Sequence, residues 1–403
     1  MTRKMQPRRN RISGTVAAAA PLIALAVLAT PTAPAQTYNV LYAFPSFSSG
    51  AQPLGNPLIA GHSLYGTTDI GGVGQGPYGL GTIFRLDLQT GQETLLHSFA
   101  GYPSDGEFPY AGVISDPAGN LYGTTYYGGL QNYGTVFMLS AAGTETLLHS
   151  FSGPDGADPD GGLVRDAAGN LYGTTIGGGI ANATCRTNIG TDSCGTVFKL
   201  DSAGNLTTLH RFAGSPDGAN PVGSLFLEAG SLYGTTSLGG SFNQGAVFTI
   251  DNQTGAETVL YDFTGAADGK SPLTGVIGDG QGTLYGTTST GGGGNGVVFK
   301  LPTAGRLETV LYLFSGIDGA NPSALTIGAQ GELYGTTYNG ALGYGTVFKL
   351  NSKSGALTTI HRFRSGADGA YPAGLARDSE GALYGATVYG GRSTDGTIFQ
   401  VTP

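Results

Sequence analysis

Charge is scarce in this chain. Asp, Glu, Lys and Arg make up 11% of its 403 residues, against about 25% in ordinary globular domains. Tryptophan is absent, which removes the side chain that stacks most strongly on sugar rings. No apolar run reaches the length needed to cross a bilayer: residues 16–29 form a run of about 14, too short for a core of roughly 30 Å. Helical periodicity is missing after that run. So are the Gly-x-Ser-x-Gly elbow, His-Glu-x-x-His and a phosphate-cradling Gly-Lys-Ser/Thr. The sequence therefore offers no ready-made hydrolase, zinc or nucleotide motif.

What charge there is divides unevenly. Arg3, Lys4, Arg8, Arg9 and Arg11 precede the apolar run, and Ala33-Pro34-Ala35 follows it, the layout of a cleaved export signal over residues 1–35. Cleavage near Ala35-Gln36 takes five of the 19 basic residues and none of the 27 acidic ones, leaving 14 − 27 = −13. An acidic surface without a basic cluster repels phosphate backbones, so nucleic acid is excluded as a partner. The expected product is a secreted protein, extracellular or periplasmic, with no membrane span in the mature chain and no partner copy required. The chain stops at Pro403 without a C-terminal anchor, so it is expected to be released.

Glycine is abundant, 72 residues with 20 prolines. Without periodicity this would indicate disorder, but the glycines recur at fixed places. Leu-Tyr-Gly occurs seven times, with its tyrosine at Tyr65, Tyr122, Tyr172, Tyr233, Tyr285, Tyr334 and Tyr384. The spacings of 57, 50, 61, 52, 49 and 50 residues suit propeller blades and are about twice a solenoid rung. In the second copy, 111–116, 120–125, 134–139 and 144–151 read as four strands. The third alternates Thr135, Phe137 and Leu139 against Val136 and Met138. Gly66, Gly123 and their equivalents are expected to let a neighbouring blade approach.

The last copy ends at its third strand, 396–402, whereas 38–44 precedes the first copy and matches a fourth strand. The expected fold is therefore all-β: a seven-bladed propeller of four antiparallel strands per blade, spanning 36–403. The N-terminal strand should complete the last blade and close the ring.

The unit Leu-Tyr-Gly-Thr-Thr…Gly-Gly…Gly-Thr-Val-Phe-Lys-Leu…Phe-x-Gly-x-x-Asp-Gly resembles the GloVer (Gloeo/Verruco) tandem repeat of exported bacterial proteins, over essentially all of 37–403. The resemblance implies an extracellular location and no particular activity. Members carry varied C-terminal sorting signals; this chain departs from that pattern. The Asp…Gly-Asn-Leu-Tyr turn is also similar to NHL-type propeller blades.

Candidate sites fall on the loop face, where the links between blades meet the second-to-third-strand loops. Six links carry Asp-Gly, at Asp105, Asp155, Asp217, Asp268, Asp318 and Asp368; the first has Ser49-Gly50. Repetition favours a turn in which the Asp side chain bonds an N–H two residues on. The competing reading is an acidic ring that holds cations or sugar hydroxyls. Asp155, Asp158 and Asp160 are the densest carboxylates, but no bidentate acid follows as a calcium loop requires, and no cofactor is expected. His97, His149, His210 and His361 share one strand-four position and are expected to pack separately, while His62 stands alone in a turn. Cys185 and Cys194, in the insertion 181–194, are expected to form a disulfide. Tyr78, Tyr126, Tyr127, Tyr133, Tyr338, Tyr344 and Tyr389 crowd the same loops and suit sugars or protein partners.

Two functions compete. One is a non-enzymatic binding or structural module for an extracellular glycan or protein. The other is a lyase or hydrolase, which needs an asymmetric acid–base cluster. Asp160, Arg165, Arg186, Arg377 and Arg392 are the blade-specific candidates for such a cluster. Calcium held at the Asp cluster is a third possibility.

Overall fold

A computed structural model describes residues 1–2, 36–73, 78–186, 192–340 and 342–403. The expected signal, 1–35, lies outside the described residues beyond its first two positions. Gln36–Pro403 form one unit of seven four-stranded antiparallel sheets. No α-helix occurs among the described residues, and none there is long and apolar enough to cross a membrane.

Blade one is Ala51–Ala60, Ser63–Ile70, Thr82–Asp87 and Glu93–Ser98, paired in sequence order. Blade seven has Ala370–Arg377, Leu383–Tyr389 and Thr397–Thr402, and its fourth strand is Thr37–Ala43. Tyr38 lies opposite Val401 and Val40 opposite Phe399. The ring thus closes with the N-terminal strand, and neither end leaves an open edge.

The first strand is shorter than its sequence suggests in some blades. In blade two it is Ile114–Ser115 instead of 111–116. In every blade the first strand meets a Pro, which offers no N–H to the ladder, preceded by a residue at positive φ. That residue is Gln52, Phe108, Asp158, Asn220, Ser271, Asn321 or Tyr371, with φ between 49° and 58° in every blade. Gly112 and its neighbours form channel wall instead of ladder.

A wheel of phenylalanines holds the blades together. Each strand-two Gly faces the strand-three Phe of its own blade, as Gly66 faces Phe84 and Gly385 faces Phe399. A β-carbon at Gly385 would fall 2.4 Å from that ring, so the ring needs glycine beneath it. The neighbouring blade enters differently from the expectation. Its strand-four Phe meets the strand-three Phe edge-on: Phe44 on Phe84, Phe99 on Phe137, and so around to Phe363 on Phe399, with centroids 5.1–5.4 Å apart. All these rings are almost fully buried, and each contributes roughly 1.5–3 kcal/mol by burial.

A polar joint sits above each Phe pair. The pre-proline residue donates its N–H to a carbonyl of the preceding blade, Phe108 to Leu80, Asp158 to Tyr133 and Tyr371 to Tyr344. The proline ring then presses on the glycine that opens the preceding blade's third strand, as Pro109 does on Gly81. Threonine hydroxyls bridge within and between blades: Thr68 to Thr82 at 2.7 Å, and Thr67 to the carbonyl of Ala111 at 2.9 Å. Tertiary contacts thus explain why these polar residues are buried.

Candidate binding site at the channel mouth

The first strands surround a central channel of about 780 Å³. Glycines make its narrow wall: Gly55 lies against Gly112, and Gly223 against Gly275, leaving no room for side chains. At the loop face the wall changes character. Gln52, Asp69, Tyr110, Asp160, Tyr338 and Tyr389 line the mouth, and no lysine or arginine lines it among the described residues.

Repeat position decides which side chains reach the mouth. The residue after Thr-Thr is Asp69, Tyr126, Ile176, Ser237, Ser289, Tyr338 or Val388. The residue after the link proline is Leu54, Tyr110, Asp160, Val222, Leu273, Ser323 or Ala373. These two columns vary from blade to blade while the flanking residues repeat. The mouth is therefore asymmetric, with Tyr338 and Tyr389 on blades six and seven and Asp69, Tyr110 and Asp160 on blades one to three.

There the Tyr110 and Tyr126 rings lie 4.7 Å apart, and Tyr126 and Tyr127 4.8 Å apart. Burial raises the carboxyl of Asp69 to about 6, that of Asp160 to about 6 and that of Asp158 to about 7. Asp160 keeps part of its surface open to the channel although protein surrounds it, as expected for a group in a concave wall. Burial also lifts the Tyr110 hydroxyl to about 12, helped by the charges of Asp69 and Asp160. Asp158 is 2% exposed, and its Oδ2 has no hydrogen-bond partner; Asp69 Oδ1 is buried and likewise unpartnered. Across the mouth, Tyr371 packs against Tyr338 at 4.9 Å and Tyr389 at 5.9 Å.

The six link aspartates stand elsewhere. Each turns to the outermost strand of the preceding blade. Asp105 lies 3.2 Å from His97 Nε2 and accepts the Ala100 N–H, while Asp155 lies 3.0 Å from His149 and accepts the Ser152 N–H. Asp217 and Asp368 pair likewise with His210 and His361. Asp268 and Asp318 accept the hydroxyls of Tyr261 and Tyr312. These carboxylates reach back three to five residues to the strand-four exit, not forward by two. They latch the rim. Asp155 is committed to that latch and is not turned to the channel with Asp160.

Of the named tyrosines, Tyr338 lines the mouth and Tyr127 backs Tyr126. The backbones of Tyr133 and Tyr344 serve the joints, and Tyr78 is exposed beside Phe47. Arg165 and Arg377 lie over the glycines of the first-to-second-strand turns, Gly169 and Gly381, and Arg392 is exposed in a loop. The side chain of Arg186 lies outside the described residues. Arg165, Arg377 and Arg392 do not gather around Asp160. Cys185 and Cys194 form a disulfide in the blade-three loop.

One further cluster sits at the rim. His210, Asp217 and Glu257 bring their ligand atoms within 4.8 Å of one another. Burial and the nearby Asp217 raise Glu257 to about 7.

Asp69 and Tyr110 were not singled out from the sequence. Columns that repeat draw notice, whereas the channel is lined by columns that do not.

No curated protein matches the chain. Among solved structures, an oligogalacturonate lyase from Vibrio parahaemolyticus shares 11% identity over 90% of this chain and 93% of its own, with TM-score 0.58. An oligogalacturonate lyase in complex with manganese shares 12% over 91% and 92%, with TM-score 0.58. The extracellular domain of a hybrid two component system from B. thetaiotaomicron shares 14%, with TM-score 0.57; the match covers 91% of this chain and 41% of that one. Such identities carry the fold alone. The model of the Gloeobacter/Verrucomicrobia repeat matches residues 27–186, 75–295 and 266–403, and the chain belongs to that family.

Proposed function

We propose that this propeller is an exported, non-catalytic binding module that takes an extracellular glycan at the mouth of its central channel. The observation that carries the reading is the break in sevenfold symmetry at the mouth, where Asp69, Tyr110, Asp160 and Tyr338 stand at positions that hold unlike side chains in other blades. The channel volume falls within the range of small-molecule sites, and tyrosines beside carboxyls suit the faces and hydroxyls of a sugar. The disulfide and the sequence of residues 1–35 support export to an oxidising compartment.

A glycan screen read by thermal shift tests this, because a ligand that binds only the folded state raises its midpoint. A hit should be lost on Tyr110→Ala and kept on Asp105→Ala. A hit indifferent to Tyr110 would move the site elsewhere.

One observation favours a second reading, a lyase or hydrolase at the same mouth. Carboxyls near 6 and 7 lie in the range that a general acid uses at neutral pH. Turnover of a bound saccharide, absent in Asp160→Asn, would establish it.

A further inference from the structure

Among the described residues, the mouth holds acids and no basic side chain. Asp69 and Asp160 line it beside Tyr110, while Asp158 is buried two residues before Asp160 and outside that lining. Burial alone acts on each carboxyl. Asp158 is 98% buried by its 2% exposure, with Oδ2 unpartnered, and Asp69 Oδ1 is a second orphan. An unpaired carboxylate away from water is costly, and native structures keep one where a missing partner completes it.

The surroundings say what that partner is. Tyr126 and Tyr127 feel the charge of Asp158, Tyr110 and Tyr126 that of Asp160, and Tyr110 that of Asp69. Asp69, Tyr110 and Asp160 thus adjoin one another on the mouth, with the Tyr126 ring 4.7 Å from that of Tyr110. Calcium asks for six to eight oxygen ligands, and aromatic faces supply none. An organic ammonium ion uses both components, since carboxylates neutralise it and ring faces attract it through their quadrupoles.

We infer that the mouth selects a saccharide bearing a free, protonated amine, with Asp69 and Asp160 pairing the ammonium and Tyr110 packing on the sugar beside it. This rests on the glycan-binding reading above and names the ligand within it. Neutral sugars would leave the acids unpaired, so discrimination falls on the amine.

Isothermal titration of the purified protein with glucosamine tetramer, its fully N-acetylated counterpart and calcium chloride tests the inference at one ionic strength. The free-amine tetramer should bind at least tenfold more tightly than the acetylated one. Asp69→Asn and Asp160→Asn should each weaken the free-amine tetramer at least tenfold. Circular dichroism and melting curves keep the variants honest: replacing a buried unpaired charge should leave the melting temperature level or raise it. Equal affinity for both tetramers, lost in Tyr110→Ala, would overturn the amine preference and leave the glycan site standing. Calcium binding that blocks the tetramer, or no tetramer binding at all, would overturn the inference outright.

Discussion

Gln52 donates its backbone N–H to the carbonyl of Asp395 at 2.7 Å, joining the start of blade one to the end of blade seven. Pro53 follows and presses on Gly396. This is the joint that Phe108 makes with Leu80 and Tyr371 makes with Tyr344. The closure between the two ends of the chain therefore uses the same contacts as the continuous boundaries, and no special latch is needed.

Gly396 sets the first prediction. It stands at φ +103°, and a β-carbon there would fall 2.5 Å from Pro53 Cδ and 2.5 Å from the Thr387 carbonyl. Gly204, at φ +87°, has open space around the same position. Both pay the backbone cost of alanine at positive φ, so their difference isolates the joint. Gly396→Ala should destabilise by about 1–3 kcal/mol more than Gly204→Ala in urea unfolding, the usual cost of overpacking. Equal losses would mean that the joint yields without strain.

The link aspartates should prove structural. Asp105 is buried and accepts N–H groups from Ala100 and Gly106 besides its pairing with His97. Asp105→Ala strands those donors, at a cost of about 1–3 kcal/mol. Saccharide affinity should stay within twofold, because the carboxylate points to the rim. A large loss of affinity in a folded Asp105→Ala protein would restore the acidic-ring reading.

Much of the fold was legible because its cause is repetition. A glycine under Phe84 and another under Phe399 answer one steric demand, so the sequence repeats wherever the contact does. The closing strand was visible for the same reason: Phe44 occupies the place of Phe99 and packs alike. The roles of individual residues were harder to read. Which ring sits over Gly66 depends on strand register, and the partner of Asp155 depends on how the link turns. The site was hidden most deeply, since Asp69 and Tyr110 matter through their difference from their counterparts. Only the channel geometry shows that those two columns meet.

The insertion in blade three offers a redox test. Cys194 and Cys185 are both buried, and the carbonyl of Cys194 accepts the Asn220 N–H at the joint to blade four. Their bond closes a loop with a sequence separation of 9, which stabilises by roughly 2–3 kcal/mol on the chain-entropy model. Replacing both by serine should lower the denaturant midpoint accordingly, and reductant should do the same to the parent protein while leaving the double variant unchanged.

Stability should fall as pH rises from 5 to 8. Burial holds Asp69 and Asp160 at about 6, and Asp158, Glu145, Glu257 and Glu308 at about 7. The neighbouring Asp105, Asp217 and Asp268 add repulsion to the three glutamates in turn. A carboxyl whose folded pKa exceeds its unfolded one binds its proton more tightly in the native state. Its contribution is complete below about pH 4 and is lost as pH climbs through 6 and 7. His361 acts in the opposite sense: burial lowers its pKa, so it costs stability as pH falls below 6.5. Asp155 acts only in strong acid, since burial is outweighed there by bonds from His149 and Ser152 that bring it to about 2. Six groups against one decide the sign across the range. Melting temperature measured at constant ionic strength should therefore be higher at pH 5 than at pH 8. Glu145→Gln, Glu257→Gln and Glu308→Gln combined should flatten that slope, because a neutral amide has no proton to lose. A melting temperature that climbs toward pH 8 in the parent protein would show that these carboxyls are paired or solvated in solution, and that the rim does not hold them protonated.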